Sequence, residues 1–135
     1  LIIMNKTELI SAIAEKAEIM ISRGIINSRM KDFYDIWLLS ELFDHDYSIL
    51  RQAIGNTFAR RKMPWPAKIP DAWTTQFATS PIKSTQWNAF LRKNILHSAP
   101  ANFSHVIARI AMFLNPVFFP PEDIPEKWVA ARGWK

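Results

Sequence analysis

The chain has 135 residues, 49% apolar and 21% charged, which is too apolar for a disordered polypeptide and long enough for one domain. Seventeen Lys and Arg against twelve Asp and Glu leave a formal charge of +5, a lean that suits an anionic ligand or acidic partner but falls short of a dedicated nucleic-acid binder. There is no cysteine, hence no disulfide framework and no thiolate chemistry, and no run approaches the ~18 apolar residues of a membrane span; a cytoplasmic protein is expected.

Leu1-Ile2-Ile3-Met4 is too short for a signal peptide and lacks a basic leader. Residues 7–23 are predicted helical, with Thr7 as cap, Ile10, Ile13, Ala14, Ala17, Met20 and Ile21 recurring at the helical period, and Gly24 as the stop. Ile25 and Ile26 leave only a short link, so the next helix should be an antiparallel neighbour. That helix opens at Asn27 or Ser28, either of which is a suitable cap. Its start is unusual. Arg29, Lys31, Asp32 and Asp35 stand among Met30, Phe33, Tyr34, Ile36, Trp37 and Leu38, so the helix should be central, with its charges at the edge of the core. Asp32 and Asp35 share a face, about 5–6 Å apart at Cβ, and Lys31 is placed to pair with Asp35. Glu15 and Lys16 of the preceding helix should approach this cluster. On chemistry alone it is either a structural ion-pair network between two helices or a functional set.

Residues 43–46 break the pattern and offer Asp46 as a cap for a third helix over 47–61, with Ile49, Leu50, Ala53, Ile54, Thr57 and Phe58 inward. Its end, Arg60-Arg61-Lys62, is favoured there by the helix dipole and reads as a solvated terminus or as an electropositive rim near a phosphate. His45 and Asp46 have no second histidine at ligand spacing, His97 and His105 lying far along the chain, so no metal site is expected. Residues 63–82 carry Pro64, Pro66, Pro70 and Pro81 and read as a docked proline-rich connection, with one or two helical turns within 71–77. A helix over 84–94 turns Trp87, Phe90 and Leu91 inward. Another begins within 100–104, bands Val106, Ile107, Ile110, Ala111, Phe113 and Leu114, and stops at Asn115-Pro116. Residues 117–135 form an irregular Pro/Trp-rich tail with a helical turn within 126–131. Nothing alternates long enough to predict a sheet. The expected fold is all-α: a single domain over 1–135, about five helices in two groups, 7–62 and 83–116, joined by the connection at 63–82.

Three glycines cannot build a phosphate cradle, and neither His-Glu-x-x-His nor Gly-x-Ser-x-Gly is present. The tryptophans and phenylalanines fit core and tail packing better than base stacking. Ala14-Glu15-Lys16, followed by Asn27-Ser28-Arg29-Met30-Lys31-Asp32-Phe33-Tyr34-Asp35-Ile36, resembles the AbiEii/AbiGii toxin family of nucleotidyltransferase-like proteins from type IV toxin–antitoxin and abortive-infection systems. Phe58-Ala59-Arg60-Arg61 and Gln86-Trp87-Asn88-Ala89-Phe90-Leu91 extend the resemblance over roughly residues 8–116, read as the family's C-terminal helical region. The resemblance implies transfer of a nucleotide from a nucleoside triphosphate with Mg²⁺ in a complete member. It makes Lys16, Lys31 and Asp32 the catalytic candidates and Arg29 and Asp35 the substrate-binding ones, Arg29 as a fork donor to phosphate. The family's Gly-Ser motif and metal-holding aspartates do not occur here. This chain is therefore expected to be a truncated member that lacks the catalytic part, holds no cofactor alone and is silent by itself. The competing expectation is an interaction module, exposing Ile10, Ile13 and the neighbours of Asp32 to an antitoxin, a separately encoded catalytic half or a second copy. The basic surplus also admits RNA.

Overall fold

The computed structural model describes residues 5–96 and 98–135; Leu1 to Met4 and His97 lie outside the described residues. Helix α1 (Lys6–Arg23) starts at a reciprocal capping box: the Asn5 side chain accepts from the Glu8 amide at 2.8 Å while Glu8 reaches back to the Asn5 amide. The cap is thus Asn5, not Thr7. Gly24 ends the helix at a φ of +56°, where a side chain would be strained, and a single 3₁₀ turn (Gly24–Ile26) leads onward. Helix α2 (Met30–Leu42) has no side-chain cap. Asn27 folds its own turn instead, its Oδ1 accepting from the Arg29 amide at 2.9 Å, which leaves Arg29 at the entry of the helix. Phe33, Ile36 and Leu39 are fully buried, so α2 is the central helix its composition suggests.

Helix α3 (Tyr47–Arg60) is capped by Asp46, which accepts from the Ile49 amide at 3.0 Å; Ile49 itself faces solvent. A 3₁₀ turn (Asp71–Trp73) and the short α4 (Thr75–Ala78) bury Trp73 and Phe77. Helix α5 (Pro81–Asn94) has Ser80 as cap and proline in its first turn, and buries only Lys83 and Trp87. It is a covering helix. Helix α6 (Phe103–Phe118) is the most apolar, with Val106, Ile107, Ile110, Phe113, Leu114 and Val117 all buried. In the shared core α1 packs chiefly on α3, and α2 on α6.

Two further expectations need correction. The fold is mostly helical but not all-α. His45–Asp46 (β1), Lys127–Val129 (β2) and Gly133–Trp134 (β3) form a three-stranded antiparallel sheet in the order β1-β2-β3. His45 pairs with Trp128 and Trp128 with Trp134, so residues 127–134, expected within an irregular tail with a helical turn, form a β-hairpin against the segment after α2. Strands of two or three residues are too short to show alternation.

The second correction is Pro116, which does not stop α6 but lies inside it. Proline removes the amide that would bond to the carbonyl four residues back. The carbonyls of this last stretch are met by side chains from elsewhere. The Trp134 indole donates to Phe113 O at 2.9 Å and the Tyr47 hydroxyl to Pro116 O at 2.6 Å. Arg51 donates to Val117 O, and the Trp65 indole to Phe118 O at 3.0 Å. Tertiary donors hold the final turn where local rules predict an end.

Candidate functional site

Lys16 sits on the face of α1 turned toward the first turns of α2. Its Nζ lies 3.3 Å from Asp32 Oδ1 and 2.9 Å from Asp35 Oδ2, bridging the two carboxylates. Asp32 and Asp35 share that face because they are three residues apart on a helix. Lys31 closes the outer side, its Nζ 2.6 Å from Asp35 Oδ2, and Arg29 Nε stands 3.3 Å from Asp32 Oδ2. The arrangement is graded: the Asp32 side chain is 2% exposed, Lys16 22% and Lys31 72%. Carboxylates form the floor and cations face outward.

Burial opposes the charge on Lys16, but hydrogen bonding and charge from Asp35, with the charge and hydrogen bond of Asp32, outweigh it and raise the pKa above the ordinary lysine value. Lys16 is therefore fully protonated at neutral pH. The Arg29–Asp32 contact is an ion pair without hydrogen-bond geometry, and among the described residues no donor meets the buried Asp32 Oδ2.

Glu15, also expected near this cluster, points the other way, 4.0 Å from Arg60, and Arg61 pairs with Glu18 at 2.8 Å. Two of the three positive charges ending α3 are thus matched by acids of α1, which weakens the reading of that end as an electropositive rim. Ile10 and Ile13, expected to be exposed to a partner, are buried in the core.

Lys16, Lys31, Asp35 and Glu8 line a cavity of about 760 Å³ together with a wall of Tyr34, Phe90 and Asn94. This wall does not stand out in the sequence, because α5 reads simply as a helix with apolar residues inward. A second residue that sequence reasoning misses is Lys83. It is buried, donates to the Asn27 carbonyl at 2.7 Å and lies 5.1 Å from the centre of the Phe77 ring. Burial lowers its pKa. It fixes the turn that launches Arg29 and α2. No spacing rule distinguishes it from a surface lysine.

Mg²⁺, which the resemblance implies, binds through one or two carboxylates together with substrate phosphates. Here the space between the two carboxylates is held by the Lys16 ammonium, and among the described residues no three His, Asp or Glu side chains gather to hold a metal ion. These residues do not fit a resident Mg²⁺.

The site is thus a helical face that presents lysines over a carboxylate floor, at the mouth of a cavity of about 760 Å³. The family model described as nucleotidyl transferase AbiEii toxin, type IV TA system, matches residues 8–109, and the chain belongs to this family. Neither the curated proteins nor the solved structures contain a match to it. The extent of the family match overturns the expectation of a truncated C-terminal remnant without the catalytic part. The match starts at residue 8, within α1, and covers most of the chain. An inference from two missing motifs does not stand against similarity over that length. Among the described residues no helix is long and apolar enough to cross a membrane.

Proposed function

We propose that the chain serves nucleotidyl transfer, and that its Lys16–Lys31–Arg29 array receives the phosphates of a nucleoside triphosphate. The observation that carries this is the Lys16 ammonium, held by Asp32 and Asp35 and kept charged while it faces the cavity. In nucleotidyl transfer an acceptor hydroxyl attacks the α-phosphorus and gives up its proton to water, the bond from that phosphorus to the bridging oxygen breaks, and pyrophosphate leaves with the electron pair. Negative charge builds on the phosphate oxygens, and fixed cations oppose it without reorganising. A lysine with a raised pKa suits this electrostatic role and not that of a general base, which must be unprotonated near neutral pH. Asp32 and Asp35 position the cations. Arg29, exposed at the entry of α2, offers a planar fork to a phosphate. A cognate antitoxin is the partner that the family's description suggests.

The reading is tested by incubating the protein with each ribonucleoside triphosphate, radiolabelled at the α-phosphate, and with RNA and protein acceptors. Label should pass to one acceptor class and fall roughly 100-fold in Lys16→Met. No transfer with any nucleotide, or equal transfer by the variant, would overturn it.

A further inference from the structure

The cavity has two kinds of lining: Lys16, Lys31, Asp35 and Glu8 supply the charged part, and Tyr34, Phe90 and Asn94 the aromatic and amide part. Tyr34 and Phe90 are neighbours, with ring centroids 5.8 Å apart and planes inclined at 53°. Both are partly buried, and they continue an aromatic run inward: Phe90 stacks on Trp87 at 5.6 Å, and Trp87 meets Phe103 at 5.4 Å. The inner rings are core, whereas the outer pair forms a braced wall of the cavity. Burial raises the Tyr34 pKa, with the charge of Asp35 adding to it, so its ring stays neutral at working pH. Asn94, one turn beyond Phe90, donates from Nδ2 to the Phe90 carbonyl at 2.9 Å. That bond fixes which way the amide faces, and among the described residues its oxygen and second N–H meet no other partner.

We infer that this wall is a base-recognition subsite: the nucleobase stacks on Phe90, Tyr34 braces that ring at an incline, and Asn94 reads the base's hydrogen-bonding edge. The inference rests on the phosphate reading of Lys16 and Lys31 and extends it. Aromatic faces bind any base, purines more strongly for their larger area, and a carboxamide with one free donor and one free acceptor pairs with a base edge that presents the complement. Asn94 therefore governs selectivity and the rings govern affinity. The arrangement also accounts for Phe90 and Asn94 standing one helical turn apart on α5, a helix that otherwise contributes little to the core.

The test is calorimetric titration of the whole chain with inorganic tripolyphosphate and with each of the four ribonucleoside triphosphates, in the wild type, Phe90→Leu and Asn94→Ala. The nucleotides should bind at least tenfold tighter than tripolyphosphate, purines ahead of pyrimidines. Phe90→Leu should lose roughly tenfold for nucleotides while tripolyphosphate binding is unchanged. Asn94→Ala, an exposed change that leaves the fold intact, should narrow the spread among the four nucleotides. If tripolyphosphate binds as tightly as the nucleotides and Asn94→Ala leaves their ranking unchanged, the subsite is overturned while the phosphate reading stands. If tripolyphosphate does not bind at all, the phosphate reading falls and this inference falls with it.

Discussion

Asp32 gains nothing from burial by itself: a carboxylate with 2% of its side chain exposed must be matched by positive charge or it destabilises the fold. Lys16 and Arg29 supply that charge, so the residues proposed to meet phosphate also hold the floor of their own site together. The structural and functional readings of the cluster are therefore two faces of one arrangement. His45 is a different case. It is buried, pairs through Nε2 with the Leu39 carbonyl at 2.9 Å, and packs on Phe113. Burial lowers its pKa; the Leu39 hydrogen bond and Asp44 oppose this only in part, and Lys6 adds to the lowering. The unfolded chain then binds the proton more readily than the folded one. The stability is complete above the unfolded value, about 6.5, and is lost as pH falls from there through the lower folded value. Thermal melts at pH 7.5 and 5.5 should show a drop in midpoint that is smaller in His45→Gln. An equal drop in the variant would place the sensitivity elsewhere.

At the scale of elements, Ile95 ends α5 at φ 53° and ψ 49° and is 72% exposed. A β-branched residue in the left-handed region is strained, and glycine removes the strain at little loss of burial. Ile95→Gly should therefore stabilise the protein by about 1 kcal/mol, read from urea unfolding. Destabilisation would mean that Ile95 packs more than its exposure indicates. The same scale shows what is legible in the sequence. The meeting of Lys16 with Asp32 and Asp35 follows from helical spacing and a short link, both of which are local. Gly24 and Asp46 mark their boundaries through backbone chemistry alone. The Asn5–Glu8 capping box is equally local, but Thr7, two residues on, is a competing cap by residue type. The continuation of α6 through Pro116 is not legible, because its carbonyl partners come from Tyr47, Arg51, Trp65 and Trp134, distant in the chain. The cavity wall is hidden for the same reason: Tyr34 and Phe90 meet only when α5 folds over α2.

Across the whole molecule the site is supported from several directions. The α2 helix carries Lys31, Asp32 and Asp35, and its far end is tied to the C-terminal hairpin, where the Trp128 indole donates to the Ser40 carbonyl at 2.7 Å and the Ala131 amide bonds to the same oxygen at 3.0 Å. Its near end is held by Lys83 through Asn27. One side packs on α6, and α5 closes the cavity from above the first turns. A helix fixed at both ends keeps its cations in place before a ligand arrives, which is the condition for electrostatic preorganisation.

Binding of triphosphate by this preorganised array is read from the affinity of the preferred ribonucleoside triphosphate for the wild type against Lys31→Met. Lys31 is the better choice because it is largely exposed, so the variant retains the fold and Lys16 still bridges the two carboxylates. The wild type should bind saturably and the variant roughly tenfold more weakly, the loss of one charge-assisted hydrogen bond. No binding by the wild type at millimolar nucleotide, or identical affinity in the two proteins, would contradict the claim and leave the cluster as ion pairing between α1 and α2.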